Sequence, residues 1–188
     1  DAHYNLGIAL TKKGDPRQAV HHFKKALQIN PDDENLHYNL GLALTKIGDL
    51  ETAVRSYRTA LQLNPAYAKP HNALGLIFAA KNRHHKAISH FRAALERYPL
   101  DAETHLGLGI CLFQTGQLEK AIASYQSALR LNPDYTDALF NLGVALTEKG
   151  RLEEATKQFL QVIQRETDNA DAFVYLSRIY QKRGDPHK

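Results

Sequence analysis

The chain has 188 residues, 43% of them apolar and 23% charged, with a formal net charge of +4, a balance ordinary for a folded globular chain. The basic residues are scattered rather than gathered into a patch, which argues against nucleic acid, and no apolar run approaches the roughly 18 residues needed for membrane insertion. The single cysteine, Cys111, excludes an internal disulfide framework and a cysteine zinc site, and it favours a reducing, cytoplasmic setting.

No secretory leader is visible, and the first residue is Asp rather than Met, which points to a processed chain or an excerpt. The first element lies in "AHYNLGIALTKKG". Its apolar residues recur at three- and four-residue spacing with no strand-like alternation, which predicts a helix. Gly14 ends it, because glycine enters the left-handed conformation of a helix stop without steric cost. In "GDPRQA" Asp15 caps a second helix and Pro16 fits its first turn. "INPDD" then breaks that helix, since proline disfavours helical geometry in the residue before it.

The second unit repeats the phrase, with "YNLG" at 38–41, a stop at Gly48 and a break at Pro65. The third has Gly75 and, in place of the stop glycine, Asn82, the residue next best suited to the left-handed region. The fourth runs through Gly109 and Gly116 to "LNPDY", and the fifth through "FNLG" at 140–143 and Gly150 to Thr167, which replaces the closing proline. A sixth begins at 170 and carries Ser177 where the others carry glycine. The sequence closes on "GDPHK", five periods after "GDPRQ", so Gly184, Asp185 and Pro186 read as the turn and first step of a further helix. The predicted units are 1–33, 34–67, 68–101, 102–135 and 136–169, followed by the first helix of a sixth at 170–188, eleven helices in a single array.

Several columns keep a 34-residue step throughout. Small residues stand at Gly7, Gly41, Gly75, Gly109 and Gly143 and at Ala19, Ala53, Ala87, Ala121 and Ala155, and large rings at Phe23, Tyr57, Phe91, Tyr125 and Phe159. Small side chains let the two helices of a hairpin approach, and the ring fills the space beside them. One hairpin cannot bury its apolar face alone, so neighbouring hairpins must stack. Each fully buried Leu or Phe then contributes roughly 1.5–3 kcal/mol before conformational entropy is charged.

The "YNLG" and "FNLG" phrases, the alanine and aromatic columns and the "NP" breaks resemble the tetratricopeptide repeat (TPR) family over essentially the whole chain. The family's tryptophan near the start of each unit is replaced by His3, His37, His71, His105, Leu139 and Phe173. The resemblance implies an all-α, right-handed superhelical α-solenoid of about five and a half helical hairpins. It also implies a non-catalytic scaffold that binds a peptide or helix in a concave groove lined by the first helices. Two alternatives are the recognition arm of a larger enzyme, such as a glycosyltransferase, and head-to-tail self-association. The second of these arises because Phe173, Leu176, Ile179 and Tyr180 at one end, and His3 and Leu10 at the other, lack a covering helix.

Transferred onto this sequence, the groove face carries Asp1, Tyr4, Asn5 and Lys12; Tyr38, Asn39 and Lys46; Lys69 and Asn72; Leu106 and Phe113; and Phe140 and Asn141. Beyond these lie Thr147, Glu148, Asp171, Tyr175, Arg178, Gln181 and Lys182 on the same face. Asn5, Asn39 and Asn141 share a column, and an amide can both donate to and accept from a peptide backbone. This resembles the asparagine ladder of arrays of the protein O-GlcNAc transferase type, although Ala73 and Gly107 interrupt it. Lysines (12, 46, 69) occupy the first half of the groove and acids (Glu103, Asp137, Glu148, Asp171) the second, until Arg178 and Lys182 reverse the trend. The gradient orients an acidic peptide segment toward unit one. The carboxylate clamp of chaperone-binding members is matched only at Asn39 and Lys69, with Tyr4, Ile8 and Ala73 in its other places, so chaperone tails are disfavoured.

No phosphate loop, "GxSxG" or "HExxH" occurs, and no cofactor is expected. The periodic histidines lie about 10 Å apart, too far for a shared metal. The pairs His21–His22 and His84–His85 diverge as neighbours on a helix, and His85 and His90 are five apart. All are expected to be structural or surface residues, with no metal site. Cys111 stands in a column of Ala and Ile and is expected to fill core.

Overall fold

The computed structural model describes residues 2–184, all of whose regular structure is helical. Asp1, Asp185 and Pro186 lie outside the described residues. Among the described residues eleven helices follow one another: α1 (Ala2–Lys13), α2 (Pro16–Ile29), α3 (Glu34–Lys46), α4 (Leu50–Leu63), α5 (Ala68–Ala80), α6 (His84–Arg97), α7 (Ala102–Gln114), α8 (Leu118–Leu131), α9 (Thr136–Glu148), α10 (Leu152–Arg165) and α11 (Ala170–Arg183). They form two compact units, Asp1–Pro99 with α1–α6 and Leu100–Lys188 with α7–α11.

Every odd-numbered helix from α1 to α9 stops at a left-handed residue: Gly14, Gly48, Asn82, Gly116 and Gly150. Asn82, at φ 54°, does the work of glycine, as expected of an amide residue in that region. Gly184 (φ 75°) ends α11 in the same way. After the stop, Asp15 Oδ1 accepts from the Gln18 amide and Asp49 Oδ1 from the Thr52 amide, each at 3.1 Å. Later units lose this cap. Arg151 instead reaches forward to Glu154 in a two-pronged ion pair of 2.7 Å contacts. Both partners are exposed, so the pair is worth at most about 1 kcal/mol.

Asp33 is the strongest cap in the first unit, because its carboxylate accepts from both Asn35 N (2.8 Å) and Leu36 N (3.1 Å). Replacing Asp33 with alanine orphans both donors and is expected to cost about 1 kcal/mol, read as a shift of the urea midpoint.

In the first unit α2 packs on both α1 and α3, and the same alternation continues to α6; in the second it runs from α7 to α11. The small and large columns explain this. Phe23, Tyr57, Phe91, Tyr125 and Phe159 are fully buried, as are the five alanines from Ala19 to Ala155. A methyl group built on Gly41 would stand 2.5 Å from the Tyr57 ring, and one on Gly109 2.5 Å from the Tyr125 ring. The first-column glycines are therefore glycine because a ring occupies the place of their side chain.

Successive first helices also approach one another directly, α1 with α3, α3 with α5, α7 with α9 and α9 with α11. Among the described residues the second helices α2, α4 and α6, or α8 and α10, make no such backbone approach. Each unit therefore curves with its first helices inside.

Candidate functional site

The inner layer of the first unit is a connected set of rings and amides. Tyr4 and Tyr38 stand half-buried at matching positions on α1 and α3, and Asn39 Nδ2 donates to the Tyr4 hydroxyl at 3.3 Å. The same nitrogen donates to the Asn35 carbonyl one turn back at 2.8 Å. Both Asn39 N–H groups are thus engaged, and what it offers outward is Oδ1, an acceptor. Asn141 in the second unit makes the matching bond one turn back, with Nδ2 on the Asp137 carbonyl at 2.7 Å. Asn39 therefore presents an acceptor, narrower chemistry than the two-way pairing expected of a free amide.

Tyr67 completes this layer, and the sequence reading missed it. It precedes α5, packs its ring 5.3 Å from that of Tyr38, and donates from its hydroxyl to Asn35 Oδ1 at 3.0 Å. Burial, followed by the electrostatics of Tyr38, Tyr4, Glu34 and Asp33, pushes its phenol up to about 12, so the hydroxyl remains a donor. A signal existed, since "NPAY" and "NPDY" place Tyr67 and Tyr135 two periods apart.

The other expected groove residues divide by exposure. Asn5, Lys12, Lys46, Lys69 and Asp171 are exposed, and Phe113, Phe140 and Asn72 are half-buried. Asn72 Oδ1 is buried and has no partner among the described residues. Leu106 is buried at 7% exposure and presents almost no area, because a leucine at this position sinks into the helix layer where a tyrosine or asparagine reaches outward.

In the second unit, Phe140 lies edge-on to Phe159 and Tyr175, at 5.6 and 5.7 Å, and Tyr175 stacks on Phe159 at 5.0 Å. Beside this cluster a 430 Å³ cavity between α9 and α11 is lined by Thr147, Glu148, Tyr175, Arg178, Ile179, Gln181 and Lys182. Six of those seven are positions assigned to the groove face from the sequence. A second cavity of 510 Å³, between α10 and α11, is lined by Leu160, Ile163, Phe173, Leu176, Ser177, Tyr180 and Gln181. Of the four residues expected to lie uncovered there, Ile179 and Leu176 are buried against the preceding hairpin, and Phe173 is the one left half-exposed.

The histidines are arranged differently from the sequence expectation. His3 and His22 face each other with Nδ1 atoms 2.9 Å apart, and His71 and His90 do so at 3.0 Å. Each pair joins a first helix to the second helix of its own hairpin. His90 also stacks on Phe78, with ring centres 5.4 Å apart, and burial, then His71 and Arg58, lowers it to about 4. His37 instead makes a 2.8 Å bond to the Pro31 carbonyl. Among the described residues no group of three or more potential metal ligands gathers. Cys111 is fully buried, and burial pushes its thiol up to about 11, which makes it an inert core residue.

Family models described as tetratricopeptide repeat match residues 1–33, 22–55, 72–136 and 116–173, and one described as TPR repeat matches 41–82. Among solved structures, the chain is similar to YrrB, described as a TPR protein with an unusual peptide-binding site. The identity is 28% and the TM-score 0.82, over 88% of this chain and 85% of that one. It is similar to MamA at 25% identity and a TM-score of 0.79, covering 88% of this chain and 97% of that one. PilF of Pseudomonas aeruginosa shares the fold at 22% identity and a TM-score of 0.85, over 98% of this chain and 84% of that one. No curated protein sequence matches.

Proposed function

Because the chain belongs to the tetratricopeptide repeat family, whose members serve as protein-interaction scaffolds, we propose that it is a non-catalytic scaffold whose inner helix layer binds an extended peptide or a helix of a partner protein. The observation that carries this reading is the linked set Tyr4, Asn39, Tyr38, Tyr67 and Asn35 on the inner side of the first unit. Aromatic rings supply contact area at low entropic cost, and the fixed amides offer carbonyl oxygens to backbone N–H groups. The peptide-binding site named for the similar YrrB supports the same reading. Exposed Lys12 and Lys46 in the same layer favour an acidic segment.

The test is selection of peptides from a displayed library against the intact chain, followed by affinity measurement on variants. Tyr38→Ala with Asn39→Ala should weaken selected binders at least about tenfold, with helicity by circular dichroism unchanged. Phe140→Ala tests the second unit in the same way. Binders that ignore all three substitutions would place recognition on the outer helices and reject this reading.

A further inference from the structure

The two histidine pairs have no part in the inner layer, yet the same geometry recurs in the first and third hairpins. In each, imidazoles from the first and second helix bring Nδ1 to within 2.9 or 3.0 Å of Nδ1, and the rings are tilted by 33° and 41°. The observed separations are those of N–H···N hydrogen bonds, so two imidazole nitrogens already converge in each hairpin, and a turn of the rings would aim both lone pairs at one ion. Among divalent first-row ions, copper(II) is the one that nitrogen ligands hold most tightly. All four rings are half-buried, so solvent can reach them and fill the remaining positions.

We propose that His3–His22 and His71–His90 are two bis-imidazole sites for a divalent ion that prefers square-planar nitrogen ligands, with copper(II) the best match. Each ion would bridge the two helices of its hairpin and leave two positions to water. Binding replaces a hydrogen bond. The imidazole that now donates from Nδ1 shifts its proton to Nε2 through water, both rings stay neutral, and the ion takes the two Nδ1 lone pairs after a rotation of the rings. Lys25 beside His22 and Arg58 beside His90 weaken a cation's hold, and Glu96 near His71 acts in the opposite sense. The sites are therefore expected to exchange their ion rather than trap it. A bound ion would stabilise the native hairpins by mass action.

The experiment is calorimetric titration of the acetylated chain with copper(II) at pH 7.5, together with electron paramagnetic resonance of the complex. Acetylation removes any free terminal amine, which would compete for copper by itself. Two equivalents should bind, each with two nitrogen ligands in the spectrum. His22→Ser and His90→Ser should each remove one equivalent, and the double variant both, leaving only the weak binding of single surface imidazoles. Serine is the natural choice, because Ser56 and Ser124 fill the same column. His3→Ser with His71→Ser, on the opposite helices, should reproduce the loss, with circular dichroism reporting the fold. A serine double variant that binds two equivalents like the parent, or spectra showing one nitrogen ligand, would overturn the assignment.

Discussion

Replacing Gly109 with alanine should destabilise the second unit by about 2 kcal/mol, although alanine is the better helix former. The added methyl would stand 2.5 Å from Cε1 and 2.6 Å from Cδ1 of Tyr125, a ring only 1% exposed and held on every side. Overpacking a well-filled core costs about 1–3 kcal/mol and occasionally more, and a contact this short lies at the top of that range. Helix propensity returns about 0.8–1.0 kcal/mol. The two terms can be separated. In a Tyr125→Ala background the clash is gone, so Gly109→Ala should become neutral or stabilising, and this change of sign is read from denaturant midpoints in a four-member cycle. Gly116→Ala is the control. A side chain there meets open space but must adopt φ 74°, so its cost of about 1–2 kcal/mol should be independent of Tyr125. If Gly109→Ala were equally costly with and without the Tyr125 ring, close packing would not be what selects glycine in that column.

This contrast shows why the fold was legible in the sequence. Glycine at 7, 41, 75, 109 and 143 reports a ring in the way, and glycine at 14, 48, 116 and 150 reports a backbone angle. Only the second kind tolerates asparagine, and Asn82 marks that column. A periodic array states each requirement several times, so one substitution reveals what the position demands. The site was less legible. Offsets along one helix place residues on a face but do not say how deep each side chain sinks, and Leu106 and Phe140 share an offset while only Phe140 is half-exposed. The histidine pairs are hidden from spacing along a single helix and from the step between adjacent units. His22, Ser56, His90 and Ser124 form a column of their own, 19 residues after His3, His37, His71 and His105. The hairpin brings those two columns together. Read jointly, they alternate histidine–histidine with histidine–serine, a pattern visible once contacts across the hairpin are considered.

Acidification should destabilise the first unit through the same pairs. An Nδ1–Nδ1 hydrogen bond needs one donor and one acceptor, so at most one ring of a pair can be charged while it persists. Full protonation would set two like charges about 3 Å apart. His90 is pushed down to about 4, first by burial against α5 and Phe78, then by His71 and by Arg58 from α4. His71 is lowered by burial, with Glu96 opposing, and His22 is lowered by burial, then His3, His21 and Lys25. A histidine whose native pKa lies below its unfolded value contributes stability that is complete above the unfolded value of about 6.5. That contribution is lost as pH falls toward about 4, because the unfolded chain takes up the proton first. The melting temperature should therefore be level above pH 7 and fall steadily from pH 6.5 to 4.5. In His90→Ser the readout is the slope of that fall rather than the starting stability: it should be shallower, and adding His22→Ser should flatten it further. Carboxylates such as Asp49 and Glu154, lowered by their own hydrogen bonds, act at more acid pH and are common to parent and variant. A parent chain with no loss between pH 6.5 and 5, or variants with an undiminished slope, would mean that the paired rings titrate as free imidazoles and that burial does not hold them neutral.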